Sequence, residues 1–195
     1  YYIEKNHHLF HMYAAKVTSD NTRIFVIDGS GDVLDISNSY SQTTASEIES
    51  LYFKENLVYK LWNSDATFNK FEDPKWHITN EAGMGHCYDN VTKNLFDVNN
   101  ESLQLSGKTM ALSSYGKYDE EIAISIKTQI QRGVFSYIKI PLTDKKEDIR
   151  SQNFVKTFQT IFENYVKKRM PKENVTFTGG VAQNVIWNTA LKNKW

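Results

Sequence analysis

The spacing of apolar residues along the chain changes between patterns typical of strands and patterns typical of helices. Runs rich in β-branched and aromatic residues at Arg23–Ile27 and Val175–Thr178 predict strands. Two further runs, residues 48–53 and 57–62, flank the polar residues 54–56 and predict a hairpin. Strands are also predicted at residues 1–5 and 134–140.

Apolar residues three and four positions apart predict the helices. The most regular stretch, residues 154–170, ends before Pro171, which cannot continue a helix. The polar segments 37–46 and 63–76 predict loops. Because strands, turns and helices alternate, the sequence predicts an α/β fold. The other predicted helices are residues 9–17, 81–95, 119–131 and 181–191, and residues 107–117 are predicted to be part loop and part short helix.

Composition limits the partners and the compartment. The 195 residues include 23 lysines and arginines and 23 aspartates and glutamates, so no net charge attracts nucleic acid or an anionic membrane. No apolar run approaches the roughly 20 residues of a membrane span. The one cysteine, Cys87, excludes an internal disulfide and indicates a reducing compartment, which we predict to be the cytoplasm. A lone cysteine can be a nucleophile, but this one is more typical of a small buried apolar residue.

The segment of residues 7–11, His-His-Leu-Phe-His, carries the first candidate site. On a helix, His7 and His11 lie one turn apart on the same face, where two neutral imidazoles can share a metal ion. Two histidines alone do not make a site, and carboxylate oxygens usually complete one. Asp28, which follows an apolar run, is the nearest carboxylate candidate. The alternative is a pair of hydrogen-bonded imidazoles in the core.

Two glycine turns carry the second candidate site. Residues 28–31 follow a predicted strand, and their backbone N–H groups can face an anion without a Cβ in the way. Residues 178–180 link a strand to a predicted helix, an arrangement that favours a phosphate or a nucleoside at the helix N-terminus. The alternatives are a plain turn for the first segment and close helix–strand packing for the second. The candidate ligand-binding residues are Gly29, Ser30, Gly31, Gly179, Gly180 and Asn184.

Two more polar positions have ordinary explanations. Lys108 follows Gly107, but the residues around it lack the complete Gly-x-x-x-x-Gly-Lys-Ser/Thr phosphate loop. Asp89 and Lys93 are four positions apart on a predicted helix, a spacing typical of a solvated ion pair. The physical pattern by itself therefore predicts an α/β domain with a metal–phosphate site.

Four motifs in this order resemble the O-carbamoyltransferase family of the nodulation-protein and cephalosporin-carbamoyltransferase type. The family signature consists of His-His-x-x-His-Ala, Asp-Gly-x-Gly-Glu, Glu-Gly-Lys-x-Met-Gly-Leu-Ala-x-Tyr-Gly and Gly-Gly-Val-Ala-x-Asn. The chain departs from it at a few positions; Asp32, for example, stands where the family has Glu. The matching segments are residues 7–11, 28–32, 106–116 and 179–184.

The resemblance implies an actin-like ATPase domain of the sugar-kinase and heat-shock-protein type, with a mixed sheet and flanking helices. It implies that His7, His11 and Asp28 bind a divalent metal, Fe²⁺, and that the glycine turns hold ATP or carbamoyl-adenylate. Residues 85–93 are similar to the helix of the tRNA threonylcarbamoyladenosine enzyme whose Asp binds ribose. The residues that the resemblance adds to the nucleotide-binding set are Asp89 and, from the third motif, Lys108.

The implied reaction transfers a carbamoyl group from carbamoyl-adenylate, made in a second domain from carbamoyl phosphate and ATP, to a hydroxyl of a small-molecule acceptor. The alternatives are a tRNA threonylcarbamoyl transferase-like enzyme and a non-catalytic nucleotide- or metal-binding module. A homodimer is a further expectation for the assembly. The resemblance also implies that residues 1–195 are the central part of one domain. Phosphate-binding strands and a catalytic His are expected before Tyr1, and a last metal-ligating Asp after Trp195. We therefore expect the 195-residue chain alone to have no transferase activity.

Overall fold

The computed structural model describes most of the chain. Two of the predicted strands, residues 1–5 and 134–140, lie outside the described residues. The described residues are 6–18, 23–29, 31–35, 44–64, 73–81, 83–96, 102–131, 149–172 and 174–192.

The chain divides into two compact units. Unit 1 contains residues 1–85 and 170–183, and unit 2 contains residues 86–169 and 184–195. The assignment of residues 1–195 to the central part of one larger domain stays a prediction.

The described residues of unit 1 form a mixed sheet of six strands. Its strands are β1 (Arg23–Ile27), β2 (Val33–Asp35), β3 (Thr44–Phe53), β4 (Asn56–Asn63), β5 (Trp76–Thr79) and β6 (Val175–Thr178). They pair in the order β5-β4-β3-β1-β6, and β2 also pairs with β3. The central strand β1 runs antiparallel to β3 and parallel to β6. This mixed sheet, together with the helices, confirms the predicted α/β class, whereas the actin-like identity stays a prediction.

Helix α1, His7–Lys16, packs against one face of this sheet. Successive side chains of a strand point to opposite faces, so Ile24 and Val26 both face α1. On β1 the intervening Phe25 stacks on Phe177 of β6, with ring centroids 6.0 Å apart. Removing apolar side chains from water holds α1 on the sheet. The buried cluster between them consists of Met12, Ala15, Ile24, Val26 and Tyr52.

Unit 2 is helical in its described residues. Its helices are α2 (Met84–Phe96, whose first two residues belong to unit 1), α3 (Ser102–Leu112), α4 (Glu120–Gln131), α5 (Ile149–Arg169) and α6 (Val185–Lys192). On α5, Phe154, Phe158 and Phe162 recur every four residues and are buried. The indole N–H of Trp187 on α6 donates to the Gln159 carbonyl over 2.9 Å. Among the helices of the described ranges, none is long and apolar enough to cross a membrane.

The strands predicted at residues 23–27 and 175–178 are confirmed. The predicted hairpin is also confirmed, and its two strands are longer than expected. Its turn consists of Lys54 and Glu55, whose φ angles are 47° and 67°. Positive φ at both central residues is the form whose twist matches the flanking strands.

Both loop predictions need correction. The loop predicted at residues 37–46 is wrong over residues 44–46, which begin β3, and its residues 37–43 lie outside the described residues. Ala45 is buried there and packs with Trp62, so the polar composition of the segment does not keep it out of the sheet. The loop predicted at residues 63–76 is wrong at both ends, because β4 includes Asn63 and β5 includes Trp76, and residues 65–72 of this prediction lie outside the described residues.

The helices predicted at residues 9–17, 119–131 and 154–170 are confirmed as α1, α4 and α5, with ends shifted by up to five residues. The helix predicted from residue 81 begins three residues later. The reason is local, because the N–H of Glu81 donates to the Thr79 hydroxyl over 3.0 Å and forms a turn before the helix.

Of two further helix predictions, one is confirmed and one is wrong in form. At residues 107–117, the prediction of part loop and part short helix is confirmed: residues 107–112 are the end of α3, which begins at Ser102, and residues 113–117 lie outside the helix. Nothing lies within 4 Å of the place where a Cβ on Gly107 would be, so this glycine marks neither a turn nor a close contact. The single helix predicted at residues 181–191 is a 3₁₀ turn, Gly180–Gln183, followed by α6, and Asn184 separates the two.

Candidate metal centre

The candidate site lies in unit 1 at the edge of the sheet where β1 and β6 end. These strands are parallel, with Val26 opposite Thr178, so the residues that follow them lie side by side. Asp28 follows β1, and Gly180 comes two residues after β6. The N–H of Gly180 donates to Oδ1 of Asp28 over 3.2 Å. The structure therefore brings two distant sequence motifs together at this edge.

Helix α1 brings two histidines to the same carboxylate. His7 and His11 are one turn apart, and their Nε2 atoms are separated by 3.2 Å. Oδ2 of Asp28 lies 2.8 Å from Nε2 of His7 and 2.7 Å from Nε2 of His11. The side chains of His7 and His11 are 48% and 31% exposed, so a dissolved ion can reach the three atoms.

The three atoms fit a divalent cation in both spacing and chemical type. They form a group in which every ligand atom lies within 4.8 Å of the others. Atoms at neighbouring corners of an octahedron with bonds of about 2.1 Å are about 3 Å apart. The separations of 2.7, 2.8 and 3.2 Å are close to that value. Two imidazoles and one carboxylate, with other positions open, are the ligand set of non-haem Fe(II) sites.

The carboxylate of Asp28 is held in its charged form. Burial acts to raise its pKa, but hydrogen bonds from His7 and the Gly29 N–H outweigh burial and place the pKa below the ordinary 3.8. The Gly29 N–H donates to Oδ1 over 2.7 Å, and the Gly180 N–H donates to the same oxygen. The backbone thus fixes Oδ1 while Oδ2 faces the imidazoles. Outer hydrogen bonds of this kind orient a metal ligand.

Three N–H groups of the glycine turns, those of Gly29, Gly31 and Gly180, donate to oxygens of the protein. Those of Gly29 and Gly180 donate to Asp28, as described above. The N–H of Gly31 donates to the Glu47 carbonyl over 2.7 Å. An anion at these turns would therefore have to displace existing contacts or use other donors.

Close packing explains the glycine pair after β6. Gly179 has a φ of 95°, and a Cβ there would collide with the carbonyl oxygen of Ile27. A Cβ on Gly180 would lie 2.6 Å from Oδ1 of Asp28. The absence of both Cβ atoms lets this segment approach the end of β1. Close packing therefore accounts for both glycines, and nucleotide binding at residues 178–180 stays a prediction.

The remaining predicted site residues lie elsewhere. Ser30 is outside the described residues. In unit 2, Asp89 forms an ion pair with Lys93, with Oδ2 and Nζ 2.6 Å apart, as its ordinary explanation predicted. Lys108 is an exposed residue of α3. Nucleotide binding by Asp89 and Lys108 stays a prediction.

Asn184 is the hydrogen-bond partner of Gln159 inside unit 2. The amide N–H of Gln159 donates to Oδ1 of Asn184 over 2.8 Å, and the amide N–H of Asn184 donates back over 3.2 Å. The same Oδ1 accepts the backbone N–H of Trp187 over 3.2 Å and caps α6. Asn184 is only 7% exposed. Its carboxamide therefore joins α5 to α6 from a position just before α6, and nucleotide binding by Asn184 stays a prediction.

Sequence reasoning missed a buried polar cluster next to the histidines. It consists of His8 with Glu47, Ser50 and Lys60, and we call it the Glu47 cluster. His8 and Glu47 are both 0% exposed, with His8 Nδ1 3.2 Å from Glu47 Oε1. Burial lowers the pKa of His8 to about 3, so its imidazole is neutral. The sequence does contain a signal for this cluster: two glutamates lie at a mostly apolar predicted strand, with Glu49 inside it and Glu47 directly before it.

The fold and the three converging side chains define an α/β protein with a candidate metal centre. The model of the carbamoyltransferase N-terminus family matches residues 2–194, so the chain belongs to this family. The family resemblance found in the sequence is thereby confirmed, while the nodulation-protein and cephalosporin-carbamoyltransferase type stays a prediction. A search of curated proteins found no match to the chain, and a search of solved structures found none either.

Proposed function

We propose that this domain binds Fe²⁺ or a similar divalent metal through His7, His11 and Asp28 and takes part in transferring a carbamoyl group to a hydroxyl of a small-molecule acceptor. Membership of the family supports carbamoyl transfer in general. Metal binding is supported by one observation: Nε2 of His7 and Nε2 of His11 lie 2.8 and 2.7 Å from the same carboxylate oxygen of Asp28.

The proposed reaction starts from carbamoyl-adenylate, formed from carbamoyl phosphate and ATP. The acceptor oxygen bonds to the carbamoyl carbon, the bond from that carbon to the adenylate phosphate oxygen breaks, and AMP leaves. The proton of the acceptor hydroxyl passes to solvent. A bound divalent metal supplies Lewis acidity toward a carbonyl or phosphate oxygen.

The side chains have separate parts in this proposal. Asp28 contributes the negative charge that offsets a cation, and its charged form is held by the backbone N–H groups of Gly29 and Gly180. His7 and His11 contribute neutral nitrogen donors, which suit iron as well as zinc and copper. Their partial exposure leaves room for a substrate oxygen beside the three ligand atoms.

The proposal also includes a nucleotide on an actin-like fold. Asp89 and Lys108 are its proposed contacts in unit 2. In unit 1, the glycine turns can contribute only by giving up the contacts of Gly29, Gly31 and Gly180 or through other donors.

Anaerobic titration of the chain with Co²⁺, a spectroscopic substitute for Fe²⁺, tests the metal site. We expect one bound ion with d–d absorption, and a loss of affinity greater than roughly 100-fold in His7→Ala, because losing only an outer partner of a ligand costs about 10–100-fold. The exposed His86 on α2 offers the matched control, and His86→Ala should bind as the wild type does. Wild-type affinity in His7→Ala would contradict the assignment.

A second titration, with ATP or AMP in the presence and absence of Co²⁺, tests the link between metal and nucleotide. We expect the metal to strengthen nucleotide binding and Asp28→Asn to abolish that effect. Co²⁺ binding with no effect on either nucleotide would instead favour the alternative of a non-catalytic metal-binding module.

A further inference from the structure

Glu47 is a carboxylate enclosed by the protein. Its side chain is 0% exposed, and Oε1 accepts from the Ser50 hydroxyl over 2.7 Å. Nζ of Lys60 lies 3.0 Å and Nδ1 of His8 3.2 Å from the same oxygen. A buried carboxylate is strongly destabilising without such partners. Glu47 is therefore the acceptor on which the other three side chains of the cluster converge.

A β-bulge places this carboxylate on the face of the sheet that α1 covers. Along β3, Glu47 pairs with Trp62 and Glu49 with Leu61, so one extra residue lies on β3 between the two pairs. In a regular strand, Glu47 and Ser50 would point to opposite faces. Because of the bulge, both reach His8 on α1. Bulges commonly redirect a side chain in this way next to functional sites.

The backbone of Glu47 holds the turn that follows Asp28. Its carbonyl accepts the Gly31 N–H over 2.7 Å, and its N–H donates to the Asp32 carbonyl over 2.8 Å. The Asp32 carboxylate in turn accepts the backbone N–H of His7 over 3.2 Å at the start of α1. One residue of β3 thus contacts the segments that carry Asp28 and His7.

The side chain of His8 completes the second connection. His8 stands between His7 and His11 on α1, and its Nδ1 lies 3.0 Å from Ser50 Oγ and 3.2 Å from Glu47 Oε1. Because the Ser50 hydroxyl donates its own proton to Glu47, the neutral tautomer that satisfies these contacts has the proton on Nδ1 and leaves Nε2 as an acceptor. No donor among the described residues reaches Nε2. A Cβ on Gly31 would lie 2.9 Å from this nitrogen, so His8 is held between the sheet and the glycine turn.

We propose that Glu47 is a positioning residue of the metal centre: by fixing His8 and the Gly31–Asp32 turn, it holds α1 and Asp28 where their three ligand atoms meet. The inference rests on the proposed metal site. Metal ligands whose orientation is fixed by hydrogen bonds from neighbouring residues bind a metal more tightly than ligands that are free to move.

Glu47→Gln tests this inference with Glu49→Gln as its matched control. Glu49 is also buried, at 1% exposed, lies on the same strand and accepts a hydrogen bond from the Tyr59 hydroxyl. Glu47→Gln replaces the carboxylate with an amide, so Lys60 loses its ion-pair partner. The amide also has an NH₂ group, which cannot accept the hydrogen bonds that the carboxylate accepts. We expect Co²⁺ affinity to fall about 10-fold with a changed d–d spectrum, and affinity within about twofold of wild type in the Glu49→Gln variant. Urea unfolding of the metal-free proteins measures the stability of both.

The outcomes separate the two proposals. Absence of Co²⁺ binding by the wild type would overturn the metal centre, and this inference with it. If the wild type binds Co²⁺ and both Glu47→Gln and Glu49→Gln match it in affinity and d–d spectrum, the positioning role of Glu47 is overturned and the metal centre stands. If Glu47→Gln does not fold, Ser50→Ala decides, because it removes one donor to Glu47 together with the 3.0 Å contact between Ser50 and His8, and leaves the Lys60 ion pair intact. A several-fold loss of affinity in Ser50→Ala supports the role, and wild-type affinity overturns it.

Discussion

The backbone N–H of Gly180 donates to the carboxylate of Asp28 over 3.2 Å, although the two residues are 152 positions apart in the chain. The contact joins the segments that follow two parallel strands. The second oxygen of the same carboxylate faces His7 and His11 at 2.8 and 2.7 Å. The geometry of the candidate metal centre therefore depends on a close backbone approach that only glycine permits.

Gly180→Ala should disturb the centre directly. The added Cβ would lie 2.6 Å from Oδ1 of Asp28, too close for the carboxylate to stay in place. We expect the free energy of unfolding to fall by about 1–3 kcal/mol, the usual effect of overpacking, and Co²⁺ affinity to fall with it. Urea unfolding and Co²⁺ titration measure the two effects.

Gly107→Ala is the matched control for that substitution. Gly107 lies inside α3 with nothing within 4 Å of the added Cβ. Alanine is the better helix former, so we expect a gain of about 0.5–1 kcal/mol in the free energy of unfolding and unchanged Co²⁺ affinity. Equal effects of the two alanines on Co²⁺ affinity would show that the contact of Gly180 with Asp28 is unimportant.

Asn184→Ala should cost stability. The substitution removes the cap of α6 and leaves the buried amide of Gln159 without its partner, which together amount to about 1–3 kcal/mol. Chemical unfolding measures the loss, and Lys192→Ala, at an exposed position of the same helix, should stay within about 0.5 kcal/mol of wild type. Wild-type stability combined with weaker ATP binding would instead assign Asn184 to the nucleotide.

The parts of the site that depend on local pattern could be predicted from the sequence. The spacing of His7 and His11 places two imidazoles on one face of any helix, and α1 is helical there. Asp28 follows a β-branched run whose strand ends at the predicted residue. Both features need information from only a few neighbouring residues.

The parts that depend on distant pairing could not be predicted. The orientation of Glu47 follows from a bulge that is defined only by the register of β3 on β4. Likewise, the Gly180 N–H donates to the protein because Asp28, which follows the neighbouring strand β1, lies beside it. The sequence around Gly180 does not contain that information. Asn184 has the same difficulty, because its partner Gln159 lies on a separate helix.

The thiol of Cys87 should be unreactive in the folded protein. Cys87 is 0% exposed, and burial raises its pKa well above the ordinary 9.0, so the nucleophilic thiolate is absent at neutral pH. We expect labelling by a thiol reagent such as Ellman's reagent to be roughly 100-fold slower in buffer than in denaturant. A thiol introduced by Lys117→Cys, at an exposed position, should react at once in the same sample. Rapid labelling of native Cys87 would restore the nucleophile alternative.

The metal-free protein should lose stability on acidification because of His8. Burial lowers the pKa of this imidazole from 6.5 to about 3. The charge of Asp28 raises this pKa and the charge of Lys60 lowers it, and both effects are smaller than that of burial. Between those two pH values the unfolded chain binds the proton and the folded chain does not. The free energy of unfolding therefore rises with pH in this window, by up to about 1.4 kcal/mol per pH unit, and falls as the pH is lowered from 6.5 toward 3.

Urea unfolding in EDTA at pH 6.5, 5.5 and 4.5 measures this dependence, and His8→Asn isolates it. Asparagine keeps a donor near the position of Nδ1 but has no titrating group, so the slope of the free energy of unfolding against pH should fall by about 1.4 kcal/mol per unit. Asp28, whose pKa is lowered, adds its own loss only as the pH falls below 3.8, outside the measured range. Equal slopes in the wild type and His8→Asn would show that His8 is not the group held neutral in the fold.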